Sequence, residues 1–196
     1  MNAHAGARSP SLKSSLKPLW EYIFQGFWIA CLMAVGDLFA QHYSGATDIK
    51  SIKWMRTVKY ASIGMGFIGP TMQYWLNIVH PWLANQQQNY AFANLKEIVN
   101  VQLYLAPTLN LGVVFLSNLS KSVRAEDMEQ GMREKYISVM ESYYKFWPAV
   151  HMFSTFVIKP NSKLFFANIM AIWWFTYLSI LLDDCFEGSY GSKAQL

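Results

Sequence analysis

One carboxylate, Asp37, lies inside the apolar run from Tyr22 to Tyr43. Ionisable side chains at that depth in a membrane are costly, and they face a bundle interior, a wet cavity or a partner charge. Two kinds of chemistry follow. As a pore or solute-site group, Asp37 would meet a passing solute. As a structural group it would pair with Arg56 or Lys59, at the start of the next apolar segment. Gln41 stands four residues on, about one helical turn, and shares the face of Asp37. In a third apolar segment, Gln102, Ala106, Asn110 and Ser117 fall on one similar face. Uncharged amides there either line a hydrophilic path or bridge helices, and bridging is the commoner use.

Other chemistries find too few residues. Gly64-Met65-Gly66-Phe67-Ile68-Gly69 matches the letters of a dinucleotide fingerprint, but no acidic residue follows until Glu97. That fingerprint also needs a strand before it and a helix opening after it, whereas Lys59 to Ile63 leads into a proline-containing apolar helix. Close helix packing through Ser62 and Gly66 is the plainer reading. His42 and His80 fall at segment ends, and His151 has no second ligand at metal spacing. Cys31 and Cys185 are distant from each other in apolar surroundings and read as reduced packing residues. No Ser-His-Asp, paired-carboxylate or P-loop pattern occurs. The chain is therefore read as non-catalytic, with no catalytic, cofactor-binding or metal residues. Lipids are the one small-molecule class expected to hold structural places. No basic stripe with base-stacking geometry appears, so nucleic acid is excluded as a partner.

The elements that position these groups are apolar helices. Ile98 to Leu119 and Leu164 to Leu182 contain no ionisable group apart from the Tyr hydroxyls. A spanning helix needs about 20 mostly apolar residues. The 196 residues are 53% hydrophobic and only 14% charged, so the apolar surface exceeds what a soluble protein of this size can bury. The expected fold is an all-α, multi-span membrane bundle. It has four spans, near Trp20–Tyr43, Thr57–His80, Leu95–Leu119 and Leu164–Leu182, plus a short tilted or re-entrant helix over Phe146–Ile158. Kinks are expected at Pro70 and Pro107. Trp20, Tyr22, Tyr43, Trp54, Trp82, Tyr143, Tyr144 and Trp147 sit beside span ends, where aromatic rings settle at headgroups.

In the first span, Gly26, Ala30, Ala34, Asp37 and Gln41 fall within an arc of about 80°, at 100° per residue. This small and polar face should meet other helices, and Phe24, Trp28, Leu32, Val35 and Phe39 should meet lipid. Residues 1–18 form a polar, basic tail free of Asp and Glu, with a composition like that of organelle transit segments. Its ordering calls for a partner or headgroups, because it holds few large apolar side chains. Residues 19–185 form the membrane helical domain and 186–196 a polar tail. Residues 121–141 read as an amphipathic surface helix, and Pro148 as the start of the short arm. The balance of Lys and Arg between the two sides is too even to assign orientation.

Taken in order, these residues resemble a family. Val35-Gly36-Asp37-Leu38-Phe39-Ala40-Gln41, Arg56-Thr57, Gly64 to Pro70 with Trp75, Lys96 with Gln102 and Pro107, Tyr143-Tyr144 with Trp147-Pro148-Ala149-Val150, and Trp174 with Tyr177-Leu178-Ser179 are similar to the Mpv-seventeen / 22-kDa peroxisomal membrane protein family. The resemblance implies a small multi-span protein of the mitochondrial inner membrane or, alternatively, the peroxisomal membrane. Some members of the family are described as channels for small solutes. Four places depart from its pattern. Val101 stands for the Asp of an Asp-Gln pair, Gln73 for a His, Ser154-Thr155 for Asn-Phe, and Phe175 for an Asn. Losing polar groups makes an aqueous path less expected. The function expected is that of a structural or accessory subunit of a larger, respiratory-type inner-membrane assembly, with membrane lipids and other membrane-protein subunits as partners. The alternative is a weakly selective small-solute channel.

Overall fold

The computed structural model describes residues 12–84, 90–119 and 125–191, and every regular element in them is helical. Helix α1 (Leu12–Tyr43) begins within the expected N-terminal tail; residues 1–11 of that tail lie outside the described residues. The helix ends on Gly45, whose φ of 103° suits glycine alone among ordinary residues. There the Gly45 N–H bonds the His42 carbonyl at 3.1 Å and the Ala46 N–H bonds the Gln41 carbonyl at 3.0 Å. This Schellman closure satisfies carbonyls that the helix end would otherwise leave open.

A second continuous helix follows, made of α2 (Trp54–Ile63), a π-helical stretch (Gly64–Ile68), α3 (Gly69–Tyr74), another π stretch (Trp75–Val79) and α4 (His80–Ala84). The third comprises α5 (Tyr90–Asn100), a π stretch (Val101–Leu105) and α6 (Ala106–Leu119). All three π stretches have one cause. Each is followed by one residue and then a proline: Gly69-Pro70, His80-Pro81 and Ala106-Pro107. A proline ring clashes with the carbonyl one α-turn earlier and offers it no N–H. Widening the turn relieves the clash, and the residue before each proline donates five positions back: Gly69 to Gly64, His80 to Trp75, Ala106 to Val101. The sequence announces a disturbance at Pro70 and Pro107, but not that it takes this form.

Helix α7 (Ala125–Phe156) corrects one expectation. Pro148 does not start a separate arm; it lies inside a single 32-residue helix that includes the expected surface segment from residue 125 onward. Residues 120–124, which open that segment, lie outside the described residues. A turn at Pro160–Ser162 leads into α8 (Lys163–Gly191), so residues 186–191 of the expected tail are helical too; the remainder of the tail, 192–196, lies outside the described residues. The α7 and α8 helices run antiparallel. Lys135 Nζ donates to the Leu182 carbonyl at 3.3 Å and Ser142 meets Tyr177 at 2.7 Å. Tyr143 then packs on Trp174, Phe146 on Trp173, and Phe153 on Phe166.

Among the described residues, three helices are long and apolar enough to cross a membrane: Leu19–Tyr43, Leu95–Leu119 and Pro160–Asp183. The core lies where α1, the second helix, α6, α7 and α8 converge, on Leu32, Met33, Tyr60, Ile63, Val114, Val139, Trp174 and Leu178.

Candidate functional site

Helix α1 approaches the second helix so closely that glycine backbones touch. A Cβ on Gly69 would lie 2.3 Å from the Gly26 Cα, and one on Gly26 would lie 2.7 Å from the Met65 carbonyl oxygen. Ala30 is buried and lies over Gly64, while Ala34 is half-buried. Phe24, Trp28, Val35 and Phe39 point outward. Leu32 does not: it is buried, because α1 has a second covered face. There Gly36 meets α8, and an added Cβ would stand 2.7 Å from the Phe175 Cβ. Cys31 is exposed and does not pack inside; the Cys185 side chain lies outside the described residues. Ser62 and Gly66 also differ from expectation. Both are exposed, and nothing lies within 4 Å of a Cβ at Gly66, so the close approach belongs to Gly64 and Gly69.

This approach delivers the end of α1 to the start of α2 and the end of α8. Asp37 is 0% exposed and fully engaged. Its Oδ1 accepts from Arg56 Nε at 2.8 Å and Ser179 Oγ at 2.6 Å. Its Oδ2 accepts from Gln41 Nε2 at 2.8 Å and Thr57 Oγ1 at 2.6 Å. Arg56 bridges onward, with Nε 2.6 Å from Asp183 Oδ2 and an Nη donating to Ser179 Oγ at 2.8 Å. Gln41 Oε1 accepts the Lys53 backbone N–H at 2.7 Å, so one side chain on α1 caps the next helix. A buried carboxylate saturated by donors and a guanidinium is a structural cluster: its lone pairs are occupied, leaving none for a solute. Lys59 is not the partner of Asp37; its Nζ sits 4.8 Å from the Tyr60 ring centroid. Thr57, Ser179 and Asp183 complete the cluster without having been singled out as polar candidates. Two of them stand in the segments Arg56-Thr57 and Tyr177-Leu178-Ser179, which carried a signal as pattern rather than as chemistry.

The third helix turns its polar face onto α7. Gln102 Nε2 lies 3.1 Å from His151 Nδ1, and Tyr144 Oη donates to the Gln102 carbonyl at 3.1 Å. Asn110 Nδ2 points at Met140 Sδ, 3.5 Å away. Gln102 and Asn110 are thus far from Asp37 in contacts, and the structure does not gather the candidate polar residues into one site. Gln102 Oε1, Asn118 Nδ2 and Trp147 Nε1 are buried without a hydrogen-bond partner among the described residues. No group of three or more His, Cys, Asp or Glu able to hold a metal occurs among the described residues.

The sequence model of the Mpv17 / PMP22 family matches residues 119–179, the end of α6 and most of the α7–α8 hairpin. Mitochondrial inner membrane protein Mpv17 of Drosophila melanogaster is 24% identical over 169 residues, covering 86% of this chain and 100% of that protein. The chain is similar to the Mpv17 / PMP22 family. The Mpv17 protein of Mus musculus is 25% identical over 148 residues, 76% of this chain and 82% of that one. Protein SYM1 of Gibberella zeae is 28% identical over 155 residues, 79% of this chain and 86% of its own. No solved structure matches. With relatives named as mitochondrial inner membrane proteins and with apolar helices long enough to cross a membrane, the chain is a multi-pass protein of the mitochondrial inner membrane.

Proposed function

We propose that the chain is a non-catalytic packing subunit of a larger inner-membrane assembly, crossing the bilayer four times and laying the lower part of α7 along its last span. The second helix, over about Thr57–His80, supplies the fourth crossing. It packs on α1 along its length through Gly64 and Gly69 and is pinned to it at Arg56 and Thr57. The observation that carries the reading is an ion pair on the outside of the bundle. Lys145 Nζ and Glu141 Oε1 are 2.6 Å apart, with side chains 74% and 64% exposed. Their depth is fixed by the next residue, Phe146, which packs on Trp173 in the middle of the Pro160–Asp183 span. Lipid is a poor neighbour for exposed charge at that level, whereas a protein surface with its own polar groups suits it. Beside the pair, Ser142, Phe146, Trp173, Trp174 and Tyr177 wall an aromatic cavity of about 260 Å³. The closed Asp37 cluster points the same way, since it removes the chain's deepest carboxylate from contact with a solute.

Blue native electrophoresis in mild detergent tests the proposal. Migration within a megadalton complex agrees with it; a small, free-standing species opposes it. A weakly selective channel is the second reading, favoured by the buried amide face of the third helix and the unpaired atoms of Gln102 and Asn118. Reproducible conductance of the purified protein in planar bilayers would favour that second reading.

A further inference from the structure

A cavity of about 250 Å³ opens at the end of the bundle opposite the Asp37 cluster. Glu97 of α5, Val101 of the π stretch, His151, Ser154 and Thr155 of α7 and Lys163, the first residue of α8, line it. Its polar groups are mostly donors. Among the described residues Lys163 forms no ion pair, and the side-chain hydroxyls of Ser154 and Thr155 form no hydrogen bond. Glu97 is the one acidic group, and its Oε1 already meets His80 Nε2 at 3.1 Å. Gln102 donates to His151 Nδ1 at 3.1 Å, which leaves the imidazole its Nε2–H as a donor. Gln102 itself is 8% exposed and reaches the cavity only through His151.

We propose that this cavity is a binding site for a small oxyanion, a phosphate group held by the Lys163 ammonium and the hydroxyls of Ser154 and Thr155, with the His151 N–H as a further donor. An ammonium with neighbouring hydroxyl and imidazole donors matches the charge and acceptor oxygens of phosphate. That phosphate belongs either to a soluble molecule or to a lipid headgroup, since Lys163 opens a span and sits near the membrane boundary. The site goes beyond the assembly reading and does not depend on it.

The full chain, purified in dodecyl maltoside (a detergent without phosphate), is titrated with inorganic phosphate while the side-chain resonances of labelled histidine are followed. In a second arm, native mass spectrometry follows retention of phosphatidic acid. Saturable shifts that weaken at least tenfold in Lys163→Gln and recover in Lys163→Arg support a soluble oxyanion. Lys163-dependent retention of phosphatidic acid with no response to free phosphate supports a headgroup. Glu97→Gln is expected to tighten either ligand. If Lys163→Gln unfolds the protein, the Ser154→Ala, Thr155→Val pair replaces it, with a loss of several-fold expected. Absence of binding in both arms, or binding indifferent to these substitutions, overturns the proposal. Native electrophoresis is read separately, so failure here leaves the assembly question where it stood.

Discussion

Asp37 accepts four hydrogen bonds from three segments of the chain, and Arg56 shares itself between Asp37 and Asp183. Removing one side of a buried charged cluster leaves the other side uncompensated, at about 3–5 kcal/mol. Asp37→Ala should destabilise the folded protein by that order in reversible unfolding with sodium dodecyl sulfate. Asp37→Asn should cost well under half as much, because the Thr57 and Ser179 hydroxyls can turn to accept. Glycine substitutions separate in the same way. Gly69→Ala forces two backbones apart and should cost about 1–3 kcal/mol. Gly66→Ala meets open space and should be neutral or stabilising by up to about 1 kcal/mol. At this scale Asp37 was legible because a carboxylate in an apolar run demands a partner. The choice of Arg56 over Lys59 was not, since both stand near the start of the same segment and only the three-dimensional approach of α8 selects between them. Gly66 misled for a related reason. Small residues four apart announce that a helix packs closely, but the widened turn at Gly64–Ile68 changes the phase and presents Gly64 and Gly69 instead.

Helices and their interruptions carry the next set of expectations. A five-residue π stretch precedes Pro107, whereas Pro148 sits inside α7 with no such relief. Pro107→Ala restores an N–H and lets Val101–Leu105 rewind as α-helix. One residue of offset turns the segment before it by about 100°. Disulfide trapping between cysteines placed at Ile98 and Thr155, which line one cavity, should then slow markedly relative to the same pair with Pro107 intact. Pro148→Ala should instead stabilise α7, by up to about 3 kcal/mol. The merging of two expected helices into one shows where local rules stop. Trp147 before a proline is biased against helix, yet Tyr143, Phe146 and Trp147 together pack on Trp174 of α8. Contact along that aromatic ladder outweighs the local preference, and no local pattern reveals the partner helix. The departures from the family pattern show the converse. Val101 and Ser154-Thr155 looked like scattered losses, yet they line one cavity with Lys163.

Across the whole molecule, the all-helical membrane architecture follows from the length and poverty of charge of the apolar runs, and the packing order follows from nothing in the sequence alone. Replacing both Glu141 and Lys145 by alanine should leave the stability of the isolated protein within about 1 kcal/mol, as for other exposed pairs. In mitochondria the same double variant should shift from a large complex toward a small species on native gels. Unchanged co-migration would move the contact surface elsewhere on α7. Connectivity adds a constraint of a different kind. Ser179 reaches Asp37 across 142 positions of sequence, and Asp183 completes the cluster still later. During biogenesis, then, Asp37 can pair with Arg56 as soon as α1 and α2 meet, but its fourth hydrogen bond, from Ser179, and the second carboxylate on Arg56 come only with the final helix. Nascent chains halted ahead of Ser179 should linger on the insertion machinery or be degraded, and release into lipid should coincide with arrival of the last turn of the final span.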